Sequence, residues 1–171
     1  MTNTKKITYS AMFLALGLVL PFLTAQIQAI GSMLLPMHLP VLLCSFICGP
    51  VYGAIIGFIC PLLRHLLFTM PPMPGAISMA FELCAYGFFA GFLYKTFFKE
   101  KSLVGIYVSL ICAMLLGRVV WGVVQSLILS VNGSSLTFAA FIASAFTNAI
   151  PGIILQLIVV PIIVRLYEKS H

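Results

Sequence analysis

Residues 103–130, LVGIYVSLICAMLLGRVVWGVVQSLILS, contain a single charged side chain, Arg118. A helix needs roughly 20 apolar residues to cross about 30 Å of hydrocarbon, because each residue advances it by about 1.5 Å. This stretch is long enough and apolar enough to do so. The sequence therefore predicts a transmembrane helix that carries an arginine at membrane depth.

The rest of the chain has the same character. Hydrophobic residues make up 62% of the 171 residues, charged residues 7%, and the mean hydropathy is +1.18. Soluble domains have about 45 to 50% apolar and about 25% charged residues. We predict an all-α integral membrane protein that forms one membrane domain, residues 1–171. Its six predicted transmembrane helices cover residues 7–23, 38–48, 51–68, 76–98, 103–130 and 136–166.

The second predicted helix is unusually short. Residues 38–48 would span only about 16 Å at 1.5 Å per residue, which is less than the hydrocarbon thickness. Two explanations remain open: the preceding segment, residues 24–37, dips into the protein, or the helix begins earlier, near Met33. Backbone that is not helical is tolerated at membrane depth only where it is buried in protein or lines a cavity.

Basic residues indicate the orientation. They occur at Lys5 and Lys6, at Lys95, Lys99 and Lys101, and at Arg165 and Lys169, whereas the loops on the other side contain none. Cytoplasmic loops carry the excess of Lys and Arg, so both termini are predicted to be cytoplasmic in a multi-pass protein of the cell membrane. The net charge of +6 is thereby explained by orientation, and no nucleic-acid partner is predicted.

Three charged residues interrupt the apolar segments: Arg64, Glu82 and Arg118. A charge at bilayer depth costs several kcal/mol, about 2.5 to 3.5 on insertion scales, unless it is paired or used. Counting from the predicted outer ends of the helices puts Arg64 about 6 Å deep, Glu82 about 9 Å and Arg118 about 18 Å. All three depths fall in the outer half or near the midplane, which predicts one polar site that opens outward.

Neutral polar residues accompany these charges. Tyr86 shares a helix face with Glu82, Gln125 shares one with Arg118, and Asn148 starts a four-residue polar repeat that continues through Gly152 and Gln156. The predicted substrate-binding residues are Arg64, Glu82, Tyr86, Arg118, Gln125 and Asn148. Two arginines against one glutamate leave a surplus of one positive charge, which favours an anionic ligand.

A purely structural interpretation also remains open. Glu82 and Arg118 could form a simple interhelical ion pair, and Asn148 and Gln125 could make ordinary interhelical hydrogen bonds. Arg64 could extend to the outer interface beside His65. The roles of His38 and His65 are left open. The five cysteines lie in apolar runs without CxxC spacing, so no metal site is predicted. Because GxxxxGK[ST], GxSxG and HExxH patterns are absent from the sequence, we expect no catalytic residues, no cofactor and no ATP hydrolysis by this chain.

Several blocks of the sequence resemble the substrate-binding (S) components of energy-coupling-factor (ECF) vitamin transporters, most closely the pantothenate-type members. These blocks are AMFLA at 11–15, MHLPVLLCSFICGPVYGAIIGFICPLLRHLL at 37–67, MPPMP at 70–74, AISMAFELCAYGFFAGFLYK at 76–95 and NAIPGIILQLIVVPIIV at 148–164. The resemblance implies six helices that bind a vitamin near the outer face, under a lid formed by residues 24–37. It also implies that Ala11 and Ala15 contact a transmembrane coupling subunit, which works with two ATP-binding subunits.

Pantothenate agrees with the charge count because it is a small anion with hydroxyl and amide groups. Arg118 or Arg64 would hold its carboxylate, and Asn148, Gln125 and Glu82 would meet its hydroxyls and amide. Riboflavin, folate and a pyridoxine-like vitamin remain alternatives, as does a structural membrane protein without a ligand.

Overall fold

The structure, a computed structural model, describes residues 2–24, 33–98, 102–131, 133 and 137–170, and it contains no strand in these ranges. The helices are α1 (Asn3–Val19), α2 (His38–Cys48), α3 (Pro50–Phe68), α4 (Met73–Phe97), α5 (Leu103–Val131), α6 (Phe138–Ile142) and α7 (Ile150–Ser170). A 3-10 helix, Leu20–Thr24, continues α1, and a π-helix, Ala143–Thr147, continues α6.

Five helical stretches are long and apolar enough to cross a membrane. They are Asn3–Phe22, Pro50–Phe68, Met73–Phe97, Leu103–Val131 and Ile150–Ser170, and α2 is a shorter apolar helix. The predictions of an all-helical fold and of a multi-pass membrane protein are confirmed at this level. The count of six crossings and the cytoplasmic location of both termini stay predictions.

Prolines explain where helix boundaries differ from the predicted ones. The segment expected as one helix over 136–166 is divided, with a turn at Asn148 and Ala149 before α7 begins. Pro151 lies in the first turn of α7, where a missing N–H leaves no hydrogen bond unmade. Pro74 occupies the same kind of position in α4, which therefore starts at Met73 rather than Ala76.

The short helix α2 lies at the centre of the bundle. It packs against α1, α3, α4 and α7, and most of its side chains are buried, including Val41, Leu42 and Cys44. A helix that is apolar on all sides is expected to be surrounded by other helices. This position brings His38, the first residue of α2, into the interior.

Glycines allow α3 and α4 to pack backbone against backbone. A Cβ atom at Gly57 would lie 2.3 Å from the carbonyl oxygen of Leu83, and one at Gly87 would lie 2.3 Å from the carbonyl carbon of Gly53. The Ser45 hydroxyl on α2 also donates a hydrogen bond to the carbonyl oxygen of Gly87. Small residues permit such close approach between membrane helices. The contact fixes α4, which carries Glu82, against α2 and α3.

One face of α1 has no partner within the described part of the chain. Ala11 and Ala15 are exposed on it together with Leu16, whereas Phe13 and Gly17 point into the bundle. Gly17 approaches Cys60 of α3 so closely that a Cβ atom there would lie 2.6 Å from its sulfur. Within the described part of the chain, α1 therefore packs against the other helices on one side only.

Candidate functional site

Glu82 joins three helices. Its side chain on α4 is 2% exposed, and Oε1 lies 2.8 Å from Nη1 of Arg118 on α5 and 3.5 Å from Nε2 of His38 on α2. Arg118 and His38 are also buried, at 5% and 1% exposure. A carboxylate and a guanidinium thus form a buried ion pair with an imidazole next to it.

Tyr86 completes this group one helical turn after Glu82. Its ring meets that of His38 edge to face, with centroids 5.0 Å apart and an interplanar angle of 90°. Gly117 makes room for the ring, since a Cβ atom there would lie 2.4 Å from Cδ2 of Tyr86. The glycine lets α5 approach α4 and brings the next residue, Arg118, to the level of Glu82. We call His38, Glu82, Tyr86 and Arg118 the Glu82 cluster.

The Glu82 cluster holds several buried polar atoms that have no hydrogen-bond partner in the described part of the chain. They are Nδ1 and Nε2 of His38, the hydroxyl of Tyr86, and Nε and Nη2 of Arg118. The Tyr86 hydroxyl lies close enough to the Arg118 guanidinium to interact with it, but the two groups do not meet the geometric criteria for a hydrogen bond. The Glu82 oxygen in the 2.8 Å ion pair with Arg118 also does not meet these criteria. Buried polar groups are nearly always paired, so a set of unpaired ones indicates a place for a polar ligand.

Gln156 on α7 has the same property. It is fully buried, and neither its amide oxygen nor its amide nitrogen has a hydrogen-bond partner among the described residues. One turn earlier on α7, a Cβ atom at Gly152 would lie 2.7 Å from the carbonyl oxygen of Met33. Gln156 therefore follows the contact between α7 and the segment that leads into α2 and His38.

Arg64 lies in different surroundings. Its Nη1 donates a hydrogen bond to the carbonyl oxygen of Leu18, and its guanidinium lies 5.0 Å from the ring centre of Phe22 and 5.4 Å from that of Phe68. Within the described ranges it has no carboxylate partner, although it is only 3% exposed. Leu18 is in the last turn of α1, where free carbonyls and the helix dipole attract a cation.

Two neutral residues of the predicted site, Gln125 and Asn148, also have other surroundings than the Glu82 cluster. Gln125 accepts a hydrogen bond from the hydroxyl of Ser78, and Asn148 is exposed. Asn148 was expected on one face with Gln156, but that spacing requires a continuous helix, and Asn148 lies in the turn before α7. Of the six predicted residues, the structure brings Glu82, Tyr86 and Arg118 together.

His38 and Gln156 were not among the six residues that the sequence predicted to bind a substrate. Both gave a signal in the sequence: His38 begins a helix too short to cross the membrane alone, and Gln156 continues the polar repeat of the last segment. The other histidine predicted near the outer side, His65, has Nδ1 at 2.7 Å from the carbonyl oxygen of Pro71. Sequence alone did not distinguish the two histidines, because both are polar residues at the end of an apolar stretch.

The chemistry of these groups suits an organic ligand better than a metal ion. Among the described residues, no three His, Cys, Asp or Glu side chains come together as metal ligands. The unpaired atoms are mainly N–H and O–H donors, and their natural partners are the oxygens of a carboxylate, a hydroxyl or an amide. The arrangement can bind and orient a small polar molecule.

A comparison with known families identifies the kind of protein. The profile of the family described as "ECF transporter, substrate-specific component" matches residues 5–164. The chain belongs to this family. It is therefore a transport subunit whose partners are the membrane and ATPase subunits of an ECF module. Searches of curated proteins and of solved structures found no match. The predicted family is confirmed, and the pantothenate-type specificity stays a prediction.

Proposed function

We propose that this chain binds a small anionic vitamin such as pantothenate at the outer face of the cell membrane and delivers it through the coupling subunit of the ECF module. The observation that carries the proposal is the buried guanidinium of Arg118, whose Nε and Nη2 have no partner in the described part of the chain. Nη1 faces Glu82, so the opposite edge of the guanidinium is the one that is unpaired.

That edge has the geometry that a carboxylate requires. Nε and Nη2 present two parallel N–H groups, and carboxylates accept such pairs in a bidentate arrangement. Donors that are already buried bind strongly because they have given up their hydrogen bonds to water. A cationic vitamin such as thiamine would repel the guanidinium and leave its donors unpaired.

The neighbouring groups match the remainder of pantothenate. The Tyr86 hydroxyl and the Glu82 carboxylate would bond its hydroxyls, and the amide of Gln156 would pair with its amide group. Arg64, Gln125 and Asn148 remain proposed contacts. Since each has other surroundings in this structure, their participation would require a rearrangement when the vitamin binds.

The proposed architecture follows the family. Six crossings with both termini in the cytoplasm require α2 to serve as the second crossing, which its central position supports. The proposed lid is residues 24–37, of which 25–32 lie outside the described residues. Leu35 and Met37 are buried, and they would hold the end of the lid nearest α2.

The exposed face of α1 supports the proposed contact with the coupling subunit. Ala11 and Ala15 have no partner in the described part of the chain, and their small side chains permit close approach by another helix. The two ATP-binding subunits of the module would supply the driving force.

Riboflavin is the alternative with some support in the structure. Trp121, three residues from Arg118, stacks on Phe141 with ring centroids 6.1 Å apart, and an uncharged aromatic vitamin could exploit such rings. It would leave the free edge of Arg118 without a counter-charge, which is why we favour an anion.

Thermal unfolding of the purified protein with a vitamin panel tests the proposal. Pantothenate should raise the melting temperature at concentrations well above its Kd, because a ligand that binds only the folded state stabilises it. Thiamine, riboflavin, folate and pyridoxine should have smaller effects. Tyr86→Phe should reduce the effect of pantothenate. Tyr94→Phe, which removes a hydroxyl bonded to Glu168 instead, should not. Stabilisation by riboflavin alone would contradict the anion proposal, and stabilisation by no vitamin would favour a purely structural protein.

A further inference from the structure

The charges of the Glu82 cluster cancel before any ligand binds. Arg118 contributes one positive charge and Glu82 one negative charge. Arg64, which supplied the surplus in the sequence-based count, contacts a carbonyl and two aromatic rings instead. A vitamin anion on Arg118 would therefore leave the buried cluster with a net charge of minus one, and an uncompensated buried charge is strongly unfavourable.

His38 is placed to compensate for that charge. Its Nε2 lies 3.5 Å from the Glu82 oxygen, and neither ring nitrogen has a hydrogen-bond partner in the described part of the chain. Imidazole is the side chain that gains and loses a proton near neutral pH.

Few titratable groups in the described part of the chain face His38. The groups that face His38 are Glu82 and Tyr86 on α4, with Arg118 of α5 behind Glu82. The contacts with Glu82 and Tyr86 are the ion-pair and ring contacts of His38 that the described part of the chain shows, and residues 25–32 include no ionisable residue in the sequence.

We propose that His38 takes up one proton from solvent when an anionic vitamin binds to Arg118, so that the vitamin and a proton enter the site together. The proton forms an N–H bond on the imidazole, and the imidazolium then donates to Glu82. With Arg118 and His38 positive and Glu82 and the vitamin negative, the loaded cluster is neutral, like the empty one. The inference depends on the proposed function for the position of the anion.

Isothermal titration calorimetry on the purified full chain tests this coupling. The probes are pantothenate and pantothenol, its neutral alcohol, in phosphate and in Tris buffer. These buffers differ in ionisation enthalpy, so the difference in measured heat gives the number of protons taken up. Pantothenate should take up about one proton, and its affinity should fall as the pH rises over the measured range, by up to about tenfold per pH unit. Pantothenol should take up none and bind with the same affinity across that range.

Two histidine variants provide the matched comparison. His38→Gln should abolish proton uptake and the pH dependence of pantothenate binding. His65→Gln should change neither property, because His65 contacts the Pro71 carbonyl rather than the Glu82 cluster. If His38→Gln does not fold, His38→Asn takes its place, and the absence of proton uptake by the wild-type protein would overturn the inference on its own.

The outcomes separate this inference from the proposed function. Pantothenate binding without proton uptake, or with the same uptake in His38→Gln, would overturn the inference and leave the function in place. If pantothenate fails but biotin, another monoanionic vitamin, binds with a proton that His38→Gln loses, the inference stands and pantothenate is the wrong substrate. Binding of only uncharged or cationic vitamins, or of none, would overturn both.

Discussion

Two arginines, Arg64 and Arg118, are buried to a similar degree in this bundle, but the groups that they contact differ in chemistry. Arg118 on α5 pairs with the carboxylate of Glu82 and keeps two nitrogens unpaired, whereas Arg64 on α3 donates to a helix carbonyl and lies against two phenylalanine rings. Burial alone therefore does not identify a ligand-binding arginine. Of these two arginines, Arg118 combines a counter-charge with donors that have no partner in the described part of the chain, and this is why it is the main proposed contact for the anion.

The difference has a simple electrostatic origin. The end of α1 offers Arg64 partial negative charge, and the ring faces of Phe22 and Phe68 add cation–π attraction, so the guanidinium is stabilised by dipoles. Arg118 is stabilised by a full opposite charge instead. The contacts of Arg64 hold α1 against α3. The ion pair of Arg118 leaves Nε and Nη2 without a partner in the described part of the chain, and these are the proposed donors to an anion.

The largest expected effect comes from removing the counter-charge of Arg118. Glu82→Gln leaves a buried guanidinium without a partner, and breaking a buried ion pair in this way costs about 3 to 5 kcal/mol. Thermal or denaturant unfolding of the purified variant measures the loss. The double variant Glu82→Leu, Arg118→Met should recover most of it, because a pair of apolar residues leaves no charge unpaired. A double variant as unstable as Glu82→Gln would show that the pair is not the source of the effect.

The next largest effect is a difference in pantothenate affinity between variants of the two arginines. Arg118→Gln should weaken pantothenate binding by about a hundredfold or more, in line with the loss of a bidentate charged contact of about 3 kcal/mol. Arg64→Gln should weaken it by less than about tenfold. Equilibrium binding of radiolabelled pantothenate to both variants measures the ratio. Equal losses would mean that both guanidinium groups contact the vitamin, and a larger loss with Arg64→Gln would reverse the comparison.

A stability measurement defines the role of Arg64. Arg64→Met removes a hydrogen bond from a charged donor and two ring contacts, and we expect a loss of about 1 to 3 kcal/mol in unfolding free energy. Arg64→Lys should recover part of that loss, since an ammonium can still bond the Leu18 carbonyl but cannot stack its plane on Phe22. An unchanged stability in Arg64→Met would contradict the structural role.

The sequence predicted the depth of these residues but not the direction in which they point. Depth in the membrane follows from counting residues along apolar helices, and it stays a prediction. The structure shows that Arg64, Glu82 and Arg118 are buried within the bundle. Direction depends on how each helix is rotated, which is set by contacts that are distant in the chain, such as Gly117 against Tyr86 or Gly57 against Leu83. For this reason the i, i+4 pair of Glu82 and Tyr86 was predictable as a unit, and the sequence offered the Glu82–Arg118 ion pair as one possibility, which the structure shows. The separation of Arg64 from this group was not predictable.

The helix break before α7 limited the prediction in a second way. A four-residue repeat of polar residues indicates one face only where the helix is continuous. The π-helix Ala143–Thr147 and the turn that follows separate Asn148 from Gln156. No pattern in the sequence marked the π-helix, and Pro151 lay inside the single helix predicted over residues 136–166. His38 was underestimated because the central position of α2 follows from tertiary packing.

The smallest expected effect concerns the hydrogen bond between Gln125 and Ser78. The side-chain oxygen of Gln125 accepts this bond from the Ser78 hydroxyl, between α5 and α4. Such interhelical bonds contribute about 0.6 kcal/mol in membrane proteins. A double-mutant cycle with Ser78→Ala and Gln125→Leu, measured by unfolding, should give a coupling energy of that size. Pantothenate affinity should stay within a few-fold in Ser78→Ala. If Ser78→Ala instead tightened binding substantially, release of Gln125 toward the vitamin would explain it, and Gln125 would join the Glu82 cluster as a contact residue.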